Sequence, residues 1–213
     1  MPEPHEPHDF AYLRLPHDSA FKLFVQHPTF IRHMLRAFPI PSIVESEIAH
    51  LRSEPANFVG LRLDQRYVDA AWEVEMTDRA LAYLLIECQS TVDLAMHGRM
   101  THAAGILVRR LSLRPPRDRG YTASRNPLIR GLVVYNGEPA WNAVMDSQEA
   151  AVASTGADRR YDPSFRYRVL DLRRVELPGG EWNAAVLQCE LQVCDSPDEL
   201  HKAAGPLRKL LDP

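Results

Sequence analysis

Asp69, Glu87 and Gln89 are the residues of this 213-residue chain whose types and spacing best suit chemistry. Glu87 sits in the least comfortable surroundings, because it interrupts the run Leu84-Leu85-Ile86 and is followed by Cys88. A carboxylate in apolar company is costly unless it is paired, hydrogen-bonded or bound to a metal. Gln89 lies two residues on and shares the face of Glu87 on an extended chain. If Asp69 reaches the same place, two acids and an amide converge. Adjacent carboxylates repel, and a hard cation such as Mg²⁺ is the natural compensation. That geometry suits a metal-dependent phosphodiesterase: the ion binds the scissile phosphate, lowers the pKa of its water and neutralises developing charge.

Two strands must position these groups. Residues 66–76 alternate, with Val68, Ala70, Trp72, Val74 and Met76 on one face and Tyr67, Asp69, Ala71, Glu73 and Glu75 on the other. Residues 81–89 are apolar at nearly every position until Glu87, as in a strand buried on both faces in mid-sheet. Thr77, Asp78 and Arg79 make the turn between them. A three-residue loop there pairs Met76 with Ala80 and sets Asp69 opposite Glu87, and a five-residue loop gives the same pairing. A two- or four-residue loop puts the acids on opposite faces, since a slip of one inverts a strand. Glu73 and Glu75 share the Asp69 face, where they could assist a second ion or simply form the polar side of the strand.

Around this hairpin the pattern predicts helices near 18–26, 28–38, 93–113, 182–194 and 197–211. Further strands are expected near 57–61, 128–135 and 165–173. Asp18 can cap the first helix or offer the metal a further ligand. Lys22 in that helix could reach phosphate, although most such lysines are surface groups. The order predicts one mixed α/β domain over residues 16–213, with a short helical end after a flexible leader at 1–15.

Four blocks in order are similar to the recombination-promoting nuclease/putative transposase family of bacteria, within the PD-(D/E)XK nuclease superfamily. They are His17-Asp18-Ser19-Ala20-Phe21-Lys22; Tyr67-Val68-Asp69-Ala70-Ala71-Trp72; Tyr83-Leu84-Leu85-Ile86-Glu87-Cys88-Gln89-Ser90; and Leu132-Val133-Val134-Tyr135-Asn136-Gly137, with Trp141 beyond. The resemblance implies a restriction-endonuclease-like mixed sheet flanked by helices and Mg²⁺-dependent DNA cleavage, with Mn²⁺ able to substitute. By that resemblance Asp69 and Glu87 become metal ligands, and Gln89 takes the place often held by lysine. Glutamine can orient a water but supplies no charge. This chain has Cys88 where the family usually has histidine, and Asn136 at another position that is often histidine. It stops at Pro213 where relatives continue, which leaves a homodimer open as the assembly.

Charge is unevenly spread in a chain of formal net charge −3: residues 99–130 carry eight arginines against one aspartate. A local cationic cluster can steer a polyanion without making the whole chain basic. Arg99, Arg109, Arg110, Arg114, Arg117 and Arg119 are therefore expected to border a DNA backbone. A solvated helix face and loop is the competing explanation. No Gly-rich phosphate loop, Gly-x-Ser-x-Gly elbow or His-Glu-x-x-His appears, and Cys189, Cys194 and His201 lack a zinc spacing. The amino terminus lacks a secretory pattern, no apolar run is long enough to span a membrane, and three cysteines, an odd count with no paired spacing, suit a reducing compartment. A cytoplasmic protein is expected. Two rivals to the endonuclease remain: an inactive nuclease fold that binds nucleic acid or protein, and a hydrolase of small phosphoesters.

Overall fold

The computed structural model describes residues 22, 24–55, 68–78, 80–113, 128–147 and 165–176. Within them, helix α1 (Pro28–Ala37) precedes strands β1 (Ile48–Glu54), β2 (Ala70–Met76) and β3 (Leu81–Gln89). Helix α2 (Met96–Ser112) and strands β4 (Leu128–Tyr135) and β5 (Tyr167–Asp171) follow. The five strands form one sheet in the order β1-β2-β3-β4-β5. The β1–β2 and β2–β3 pairs are antiparallel, while the β3–β4 and β4–β5 pairs are parallel. This is a mixed α/β fold of the restriction-endonuclease-like kind, with one helix-backed core on each face of the sheet.

Each strand's period of two divides its side chains between those cores. Trp72, Val74, Leu84, Ile86, Cys88, Leu132 and Val134 join Phe30, Ile31, Met34 and Leu35 of α1. Proline at the first turn of α1 fits, because its missing N–H would have no helical partner there. Burying each of those large α1 side chains contributes roughly 1.5–3 kcal/mol. Trp72 adds a bond from its indole Nε1 to the Val25 carbonyl at 2.9 Å, fixing the chain ahead of α1 to the sheet.

On the other face, Ala71, Tyr83, Leu85, Val133 and Tyr167 pack against Met96, Met100, Ala103, Leu107 and Leu111 of α2. Gly131 permits that approach, since a Cβ there would stand 2.8 Å from both Met100 Cε and Tyr167 Cβ. α2 starts at Met96 rather than Asp93 because Asp93 forms a local turn. Its Oδ1 accepts the Ala95 N–H at 2.8 Å and its carbonyl accepts the Met96 N–H at 3.0 Å.

β3 is the buried central strand expected. β1 escapes the alternation test because it is a half-exposed edge strand whose register shifts between Ile48 and His50. β5 is shorter than the 165–173 expected: Arg166 bridges to Asp146, and the chain turns after Asp171. Residues 57–61 and the carboxyl-terminal helices lie outside the described residues. Among the described residues, no helix is long and apolar enough to cross a membrane.

Candidate metal and nucleic-acid site

The hairpin register decides the site. Met76 donates its N–H to the Ala80 carbonyl at 2.9 Å, and the ladder runs from Glu75↔Leu81 to Ala70↔Ile86. Beyond the last paired residue the Asp69 N–H donates to the Ile86 carbonyl at 3.0 Å, and the turn between Met76 and Ala80 brings the Asp69 and Glu87 side chains together, the outcome an odd loop predicts. Each acid then caps the other's strand. The Asp69 N–H donates to Glu87 Oε2 at 3.1 Å, and the Cys88 N–H donates to Asp69 Oδ2 at 2.9 Å. This reciprocal clamp locks register and side-chain position together, so the acids are preorganised. Both are only 5% exposed.

Gln89 joins them, its Nε2 donating to Glu87 Oε1 at 2.9 Å. Cys88 turns to the α1 core, away from the site. Two protein cations meet the two acids. Lys22 Nζ lies 3.6 Å from Asp69 Oδ1, and Arg99 Nη2 donates to Glu87 Oε1. The other arm of Arg99 donates to Asp93 Oδ2 at 2.8 Å. Gln26 donates through its Nε2 to the Asp69 carbonyl. Burial, and then the neighbouring Asp69 charge, push the Glu87 carboxyl up from an ordinary 4.5 to about 7, although Arg99 and Gln89 oppose the shift. The donor set is all hard oxygen and attracts cations already, which fits Mg²⁺ or Mn²⁺ better than a soft metal. Among the described residues no three His, Cys, Asp or Glu side chains converge as a ready-made metal cage. Asp18, the further ligand expected, lies outside them.

The arginine stretch divides. Arg99 belongs to the acid cluster, Arg109 is exposed, and Arg110 Nη2 lies 3.7 Å from buried Glu54 Oε2. Arg114, Arg117 and Arg119 lie outside the described residues. Arg130, in the same charged stretch, is instead a structural group that donates to the Pro41 carbonyl and Ser42 Oγ. Glu73 is not on a solvated strand face. It is 6% exposed and accepts from Tyr83 Oη at 2.8 Å and Arg52 Nη1 at 3.0 Å, while Glu75 pairs with the same arginine. Sequence reasoning missed Asp93 as the tether of Arg99 and Gln26 as a support for Asp69. The spacing from Asp93 to a helical arginine six residues on was the available signal for the first; Gln26 gave none.

Comparison with known proteins places the chain among relatives. "Inactive recombination-promoting nuclease-like protein RpnE" of Escherichia coli (strain K12) is 34% identical over 125 residues, which is 58% of this chain and 40% of that protein. "Recombination-promoting nuclease RpnA" of the same strain is 32% identical over 127 residues, 57% of this chain and 40% of that protein. The chain thus matches less than half the length of either relative. No solved structure matches it. The family model "Putative transposase, YhgA-like" matches residues 15–191, and the chain belongs to that family.

Proposed function

We propose that this chain is a metal-dependent DNA endonuclease centred on Asp69, Glu87 and Gln89. The observation that carries the proposal is the reciprocal clamp of the two acids, with the Gln89 amide on Glu87. Asp69 and Glu87 would hold Mg²⁺ or Mn²⁺, with Asp18 as a third ligand. Bound there, such an ion supplies Lewis acidity toward the phosphate and its attacking water.

The chain's own groups do the rest. Gln89, whose Nε2 donates to Glu87 Oε1, would help to place the attacking water. In hydrolysis the water oxygen bonds to phosphorus and gives up a proton to solvent. The bridging P–O ester bond breaks, and the leaving oxygen takes up a proton. Arg109 and Arg110 on α2, with Arg114, Arg117 and Arg119 beyond it, would grip the DNA backbone without regard to sequence. The name of RpnA, a recombination-promoting nuclease, supports a nuclease linked to recombination, and a cytoplasmic site of action fits DNA as the proposed substrate.

Nicking of supercoiled plasmid tests this with Mg²⁺, Mn²⁺, Ca²⁺ or EDTA, using the wild type, Asp69→Ala and Glu87→Ala. Cleavage should need Mg²⁺ or Mn²⁺ and vanish in both variants. Cleavage that survives either substitution refutes the assignment.

The second reading is an inactive nuclease fold that binds nucleic acid. The neutral Gln89 and the printed description of RpnE as inactive favour it. It predicts salt-sensitive DNA binding that is indifferent to Mg²⁺, with no cleavage under any condition.

A further inference from the structure

We propose that Arg99 stands in for the divalent ion on Glu87 in the resting protein and then, tethered by Asp93, contacts the scissile phosphate to supply the positive charge that Gln89 lacks. The inference rests on the endonuclease reading above and adds a substrate-contacting cation to it.

Three observations carry it. First, Gln89 Nε2 and Arg99 Nη2 both donate to the same oxygen, Glu87 Oε1. The guanidinium therefore stands beside the neutral amide, where a charged side chain would serve the reaction. Second, Arg99 is held by a second acid that is not part of the hairpin. Asp93 Oδ2 accepts from Nη1 at 2.8 Å, and the turn formed by Asp93 Oδ1 and its carbonyl fixes that acid at the base of α2. Third, the Arg99 side chain is 41% exposed whereas that of Glu87 is 6% exposed, so a phosphate can reach the first without unfolding around the second.

The physical consequence is competition. A guanidinium and a divalent cation on one carboxylate oxygen repel each other. With an ion held by Asp69 and Glu87, Arg99 would release Glu87 through Nη2 and keep its Nη1 bond to Asp93. The Nη2 end so released would be available to donate to a phosphate oxygen.

The test pairs Mn²⁺ binding by titration calorimetry, in the absence of DNA, with plasmid cleavage by the full chain. Removing the competing cation in Arg99→Ala should tighten Mn²⁺ binding by about tenfold. Cleavage by the same variant should fall by about 10²–10³, the usual loss for a donor to transition-state charge. The double variant Arg99→Ala/Gln89→Lys should recover cleavage while keeping the tight Mn²⁺ binding. Arg99→Lys, which keeps the charge but cannot bridge two acids, should fall between wild type and Arg99→Ala in both readouts. It also serves if the alanine variant fails to fold. A purely structural Arg99 would weaken Mn²⁺ binding and cleavage together, and that result overturns the inference. Wild type that binds Mn²⁺ and cleaves, with Arg99→Ala unchanged in both, overturns it alone. Wild type and Arg99→Ala that both fail to bind Mn²⁺ and to cleave overturn the endonuclease reading and this inference together.

Discussion

Replacing Glu87 with glutamine should make the metal-free protein more stable at alkaline pH. The Glu87 carboxyl is 5% exposed, and burial beside Asp69 pushes it up to about 7 from an ordinary 4.5. The folded state therefore binds this proton more tightly than the unfolded state does. The contribution of the group is fully present below about pH 4.5, falls as pH rises through 7, and is lost above it. Glutamine mimics the protonated form at every pH. From that shift, and at 1.36 kcal/mol per pH unit, Glu87→Gln should be about 3 kcal/mol more stable than wild type at pH 8.5. The difference should shrink to almost nothing at pH 4.5. Urea unfolding of both proteins in EDTA at several pH values measures it directly. Added Mn²⁺ should stabilise wild type and leave the variant nearly unchanged, because only a site in the folded state contributes. A variant equal to or weaker than wild type at pH 8.5 would refute the claim that Glu87 is an electrostatically strained group.

Other substitutions probe the scaffold and helix α2. Gly137→Ala would place a Cβ 2.5 Å from the Ser90 carbonyl and 2.3 Å from Tyr135 Oη, so it should cost about 1–3 kcal/mol in chemical denaturation. Trp72→Phe removes the bond to the Val25 carbonyl and should cost about 1–3 kcal/mol by the same measurement. Arg109→Ala should lower the slope of log affinity for DNA against log salt by about 1 with no change in stability, because the residue is exposed. Arg110→Ala should add a loss of about 1–2 kcal/mol in unfolding, since Glu54 stays buried beside the missing guanidinium. Equal unfolding curves for the two arginine variants would contradict that distinction.

Much of the hairpin was legible because burial on both faces leaves an unbroken apolar run, and because two acids on one side fix a parity that only odd loops satisfy. The match between the three-residue turn and the observed ladder follows from that parity. β1 was not legible: its sequence, Ile-Ala-His-Leu-Arg-Ser-Glu, is an edge strand with a register shift, and neither face keeps a steady alternation. The burial of Glu73 was hidden for a different reason. A polar residue on the alternating face of β2 looks solvated until Tyr83 across the ladder and Arg52 on β1 are seen to satisfy it. The arginine stretch was legible as charge and not as geometry. Composition cannot tell Arg99, aimed at Glu87, from Arg130, which holds the turn at Pro41 and Ser42.

Cleavage by Glu87→Gln at pH 8.5 tests the central claim most directly, because the same substitution is expected to strengthen the fold. Wild type and variant would be compared on supercoiled plasmid with Mg²⁺ at concentrations where both are fully folded. The account predicts nicking by wild type alone, with the variant inactive despite its greater stability and still able to bind the plasmid at low salt. Nicking by the variant at the wild-type rate would contradict the assignment of Glu87 to the metal centre.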